Sequence, residues 1–168
     1  MVINNIKMDN NRARINSVAR YIIVALIIVY IVSLMIFTGG SSKSFEEVAG
    51  PVEGAVNKDN YVKLKELDIK KLYGLNVSEY DGVMLYVSTN ALSADELLLL
   101  KVKSEDQLEE VRKAIDKRLE RRMNDFKGYA PEEEAAIDKA IVSIRGKYVF
   151  VSIGGDAQKL KDVFNENL

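Results

Sequence analysis

The chain has 168 residues, with 24 Lys and Arg against 25 Asp and Glu, and contains neither cysteine nor histidine. That length suits one ordinary domain plus a short appendage. The two absences exclude disulfides, thiolate nucleophiles, the common zinc sites and any triad that works through an imidazole.

The balanced charge is unevenly spread. Lys7, Arg12, Arg14 and Arg20 face Asp9 alone in the leader, which leaves the remainder net acidic. An acidic body is a poor match for a phosphate backbone, so no nucleic acid is expected as a partner. No cofactor, metal or small-molecule substrate is evident either.

After the basic leader, 1–20, comes Tyr21–Phe37, "YIIVALIIVYIVSLMIF", a run with no charge. As a helix it extends roughly 25 Å, and Val18, Ala19 and Thr38 bring it to about 30 Å, the depth of a hydrocarbon core. Arg20 and Tyr21 stand where interfacial anchors belong. The segment predicts a transmembrane helix over 21–37 with the leader cytoplasmic and the bulk of the chain outside. A cleaved secretory signal is the competing reading, with Thr38 and Gly40 as a weak cleavage signature. "TGGSSKS", 38–44, then reads as a flexible tether.

The domain proper is expected over 45–168. Ser44 and Glu47 form a capping box for a helix carrying Phe45, Val48, Ala49, Val52 and Val56, which Gly50-Pro51 should kink or split. "DIKKLYG" predicts a short helix begun by Asp68 and closed by Gly74. The period then switches to two. "GVMLYVSTN" puts Val83, Leu85 and Val87 on one face, Met84 and Tyr86 on the other, and "LLLLKVK" follows as a second strand after the turn "ALSADE".

Ser104 and Gln107 cap a long helix whose Leu108, Val111, Ile115, Leu119, Met123 and Phe126 form an apolar stripe. "PEEEAAIDK" predicts a short helix started by Pro131. "AIVSIRGKYVFVSIGG" predicts a hairpin turning at Arg145-Gly146, with Val142 opposite Val149, and "DAQKLKDVFNENL" a final amphipathic helix. The expected fold class is α+β: after the transmembrane helix, a four-stranded, mainly antiparallel sheet in α-ββα-ββα order, with the two longer helices on one face.

Three places deserve weighing as sites. Ser93, Asp95 and Glu96 in "SADE" offer oxygens for Ca²⁺ or an acid–base pair, but the stretch also satisfies an ordinary hairpin turn. Arg112, Lys113, Lys117, Arg118, Arg121 and Arg122 could meet anionic headgroups. Interleaved acids, such as Glu109 four residues before Lys113, favour a self-paired solvated surface instead. The sheet face bearing Met84, Tyr86, Leu97, Leu99, Ile141, Tyr148 and Phe150 is too apolar to stay wet. Either the first helix covers it, or it binds a protein partner through Tyr86, Tyr148 and Phe150.

The run from "SADELLLLKVK" through "GKYVFVSIGGDAQKL" resembles the family known as domain of unknown function 4358. The shared order is a "SADE"-type turn before an apolar strand, a long charged helix ending in an aromatic-Pro segment, and a "GKYVF"-type strand before a last helix. The resemblance covers roughly 45–168. It implies a small extracytoplasmic domain of Gram-positive bacteria, mostly Clostridia. Many relatives have a lipoprotein cysteine where this chain has its apolar span. It implies no activity and no catalytic residue. The sequence thus predicts a single-pass membrane protein whose outward domain binds protein or envelope components. A hydrolase using paired carboxylates or a Ser-Lys pair is the alternative.

Overall fold

The computed structural model describes residues 20–32 and 43–168. The chain divides into two units, 1–39 and 40–168. In the first, residues 20–32 are helical and exposed. Among the described residues no helix is long and apolar enough to cross a membrane. The rest of the expected span, Ser33–Phe37, lies outside the described residues, as do the leader to residue 19 and the tether to residue 42.

The second unit is α+β, with five strands rather than four: β1 (Tyr61–Lys63), β2 (Gly82–Ser88), β3 (Glu96–Lys101), β4 (Ile141–Arg145) and β5 (Tyr148–Ile153). All neighbours are antiparallel, in the order β1-β2-β3-β5-β4. The added strand β1 holds only three residues, too few for alternation to announce it. The helices are α1 (Phe45–Ala55), α2 (Glu66–Tyr73), α3 (Leu108–Phe126), α4 (Pro131–Asp138) and α5 (Ala157–Asn167).

Helices cover both faces of the sheet, and the expectation that the two longer ones share a face is corrected. Strand alternation sends Met84, Tyr86, Leu97, Leu99, Tyr148 and Phe150 to one side, where Val48, Ala49 and Val52 of α1 and Leu160 and Phe164 of α5 close over them. The opposite face, with Leu85, Leu98, Leu100, Val149 and Val151, packs against Ile69 and Tyr73 of α2 and Val111 and Ile115 of α3. The two longer helices, α3 and α5, therefore lie on opposite faces. Since β3 and β5 are apolar on both sides, one layer would leave the other face wet. A satellite cluster of Ala94, Phe126, Ile137 and Ile153 continues the core beneath α4.

Local chemistry explains the helix ends. The Ser44 amide donates to Glu47 Oε2 at 2.7 Å, and the Glu47 amide returns a bond to Ser44 Oγ at 3.3 Å. α1 runs unbroken through Pro51. The pyrrolidine sits on the solvent side with Gly50, while fully buried Val48 and Val52 fix the flanking turns. α2 starts two residues before the expected cap, at Glu66, and Asp68 instead falls in its first turn.

The last hairpin turns at Gly146-Lys147, one position later than expected. Arg145 pairs with Tyr148, and Val142 with Val151. Gly146, at φ 53°, takes the first loop position of a two-residue connection, where a positive φ favours glycine. Because the register moved by two residues, each side chain kept its expected face.

Candidate functional site

The three aromatic side chains proposed for partner binding belong to the core. Tyr86 is 3% exposed, and Tyr148 and Phe150 are closed off entirely. The Phe150 ring stacks on Phe164, 5.0 Å between centroids, and Tyr148 meets Phe164 edge-on at 6.3 Å. Their polar ends serve the fold. Tyr86 Oη donates to Glu53 Oε1 at 2.7 Å, and Tyr148 Oη lies 3.0 and 2.8 Å from the carbonyl oxygens of Lys43 and Ser44. Burial, followed by nearby Glu46, Glu47 and Asp81, pushes the Tyr148 phenol up to about 12. Of the two readings of this face, cover by the first helix is the one observed, with α5 closing over it as well, and docking through these three rings is corrected, because they are too large to leave in water.

The "SADE" turn holds three differently used groups. Ser93 Oγ accepts from the Asp95 amide at 3.2 Å, the local turn bond expected of it. Asp95 is half-buried. Its carboxyl sits above the ordinary value because of burial first and Glu133 next, with Ser93 acting in the opposite sense. Glu133 Oε2 accepts the Ala94 amide at 2.6 Å, and Arg122 Nη2 donates to the Ser93 carbonyl at 2.8 Å. α3 and α4 therefore brace the turn from outside. Glu96 points the other way, into the core beneath α2 and α3.

There it meets two groups the sequence reading did not join to it. Arg118 Nη2 lies 2.5 Å from Glu96 Oε2, Arg118 Nε lies 3.1 and 3.2 Å from the two oxygens, and Tyr73 Oη donates to Oε1 at 2.5 Å. A carboxylate with a forked guanidinium and a phenol is well satisfied. Burial, then Glu96, raises the Tyr73 phenol well above its usual value. The sequence signal was Arg118 itself, which falls between Ile115 and Leu119 on the apolar stripe.

The cationic helix segment is accordingly split. Arg118 is internal, and Arg122 lies against Phe126 with its guanidinium carbon 4.8 Å from the ring centroid. Burial first and Arg118 second hold the Arg122 guanidinium below its ordinary value, and its Nε is buried with no partner. On the outer face, Lys113 pairs with Glu109 at 2.7 Å as the spacing predicts.

Among the described residues no cluster of carboxylates could hold a metal ion. A shallow depression of about 400 Å³ lies beside α2, lined by Lys65, Glu66, Lys70, Asn76 and Ser78 among others. It is open to solvent and joins no buried charge to a nucleophile.

A family model, Domain of unknown function (DUF4358), matches residues 55–154. The matched stretch runs from the end of α1 to the end of β5, so it contains the whole sheet, the Glu96–Arg118–Tyr73 cluster and the braced turn. Most of α1 and all of α5, which cover the aromatic face, lie outside it. No curated protein and no solved structure matches the chain.

Proposed function

We propose, for a chain that belongs to the DUF4358 family, a single-pass membrane protein whose domain over 45–168 works outside the bilayer as a binding module for protein or envelope components. One observation carries the anchor. Ile22, Ile23, Leu26, Ile27 and Ile28, all in the helix 20–32, are each more than half exposed. An apolar rod without a protein cover is more stable in lipid than in water. The cationic leader favours the cytoplasmic side for the amino terminus, and the resemblance to extracytoplasmic domains agrees with that orientation.

The binding role is supported by how the interior is used. The buried charges of the domain neutralise one another, and the open depression beside α2 sets Ser78 near Lys65 and Lys70 with no base aligned on a hydroxyl. A hydrolase through paired carboxylates would need Asp95 and Glu96, and Glu96 is taken up by Arg118 and Tyr73 inside the core, while Glu133 beside Asp95 holds the turn.

Protease treatment of intact cells tests the topology. The domain should be digested while the leader survives. A protected domain would overturn the outward placement, and release of the full chain by alkaline carbonate would overturn the anchor. Crosslinking in native membranes followed by partner identification tests the binding role.

A further inference from the structure

The two edges of the sheet differ. β1 offers three residues. β4 is longer and, among the described residues, pairs on one side only. The hairpin register shows which of its groups are free. Arg145–Tyr148 flanks the two-residue loop and is a hydrogen-bonded pair, as then are Ser143–Phe150 and Ile141–Ser152. The bond from the Val102 amide to the Lys147 carbonyl agrees, since it assigns the odd positions of β5 to β3. The amides and carbonyls of Val142 and Ile144 therefore point away from the sheet.

Their side chains share one face, where Val142 is 44% exposed and Ile144 half-buried. The strand pair itself carries charge of one sign, with Asp138 and Asp156 just outside it. From 139 to 155 the chain carries Lys139, Arg145 and Lys147 and no carboxylate, within a domain that is net acidic. Lys139 and Lys147 are exposed at the two ends of β4, and the Lys147 ammonium donates one bond, at 2.7 Å, to the Lys103 carbonyl.

We infer that β4 takes an acidic, extended segment of a partner protein as a sixth strand. Main-chain bonds to Val142 and Ile144 would supply affinity, apolar side chains on alternate positions would rest beside Val142 and Ile144, and carboxylates would meet Lys139 and Lys147. A second copy fits poorly. Antiparallel pairing of two β4 strands uses a two-fold axis perpendicular to the sheet, which sends the two Lys43 ends to opposite poles. Two copies tethered to one membrane by a few residues could not both reach it. The inference rests on the binding-module reading and names the partner's chemistry.

The test uses the full chain in detergent micelles with a fluorescent peptide of four Glu-Val repeats, and a Lys-Val peptide as control. The acidic peptide should bind saturably, slow amide exchange at Val142 and Ile144, and exceed the control at least tenfold. Val142→Pro removes an outward amide that the fold does not use, as an edge strand permits. It should weaken binding about tenfold, the equivalent of one hydrogen bond, at an unchanged melting temperature. Lys139→Glu with Lys147→Glu should reverse the preference between the peptides and serves if the proline variant misfolds. Absence of saturable binding, equal binding of both peptides, or protection at another strand would overturn the inference. Because micelles have no sidedness, failure here is separable from failure of the topology in the shaving experiment.

Discussion

Glu96 of β3 and Arg118 of α3 face each other across the core as an ion pair, with 1% and 6% of their side chains exposed. The pair joins helix to sheet, with the Tyr73 phenol as a third member and the Arg122 guanidinium near enough to be disfavoured by Arg118. Such a pair adds little net stability over a hydrophobic replacement, because both charges are desolvated, yet losing one partner strands the other.

Arg118→Met should therefore cost about 3–5 kcal/mol. Glu96→Leu and Tyr73→Phe added to it should restore most of the loss, since no polar group of this cluster would remain unmatched. Urea unfolding of the full chain in micelles measures both. A triple variant less stable than Arg118→Met would show that the cluster contributes beyond mutual neutralisation.

Two carboxyls should shape the pH dependence in opposite directions. Glu53 is held below the ordinary carboxylate value by the Tyr86 hydroxyl first and Lys63 next. Its stabilisation is present above the unfolded value near 4.5 and is lost as pH falls through the lower folded value. Asp95 is raised, so the folded state favours its neutral form and stability falls as pH climbs from the unfolded value near 3.8 through the folded one. Asp95→Asn should raise the melting temperature at pH 7 with the gain vanishing in strong acid, whereas Glu53→Gln should lower it at pH 7 and converge in strong acid. Thermal melts across pH 2.5–7 distinguish the two.

The aromatic face gives a graded series. Tyr148→Phe keeps the ring and removes the bonds to the Lys43 and Ser44 carbonyls, and should cost about 1 kcal/mol. Tyr148→Ala with Phe150→Ala opens the core beneath α5 and should unfold the domain, each truncation costing about 3–5 kcal/mol. A folded double variant that had merely lost a co-purifying protein would restore the docking role of that face.

Gly82 opens β2 directly beneath the Phe45 ring, where an added Cβ would overlap the ring atoms. Gly82→Ala should cost about 1–3 kcal/mol through displacement of Phe45. Phe45→Ala in the same background should recover part of it, as a double-mutant cycle of melting temperatures would reveal.

Much of this architecture was legible in the sequence because it is set locally. Both serine capping boxes, the alternation in β2 and β3 and the stripe of α3 depend on residues within a few positions of each other. What escaped depends on tertiary pairing. Three residues of β1 give no period, and the loop of the last hairpin was read one position early because Arg145-Gly146 and Gly146-Lys147 both place glycine in the turn. The sequence also showed that Met84, Tyr86, Leu97, Leu99, Tyr148 and Phe150 share a face, but not what lies over it. Arg118 is the clearest lesson. Six cations in one helix read as solvated, and only the fold shows that one turns inward to a glutamate 22 positions earlier. Neither the unpaired edge of β4 nor its neighbours could be identified before the strand order was known.

Lys43 Nζ donates to the Asn167 carbonyl at 2.8 Å, which fastens the first described residue of the domain beside its last helix. Cutting the chain in a surface loop and splicing position 168 to position 43 through a short glycine bridge should thus yield a circular permutant that still folds. A fluorescent protein appended after Leu168 would emerge beside Lys43. Imaging tags placed there should leave the far pole of the molecule unencumbered.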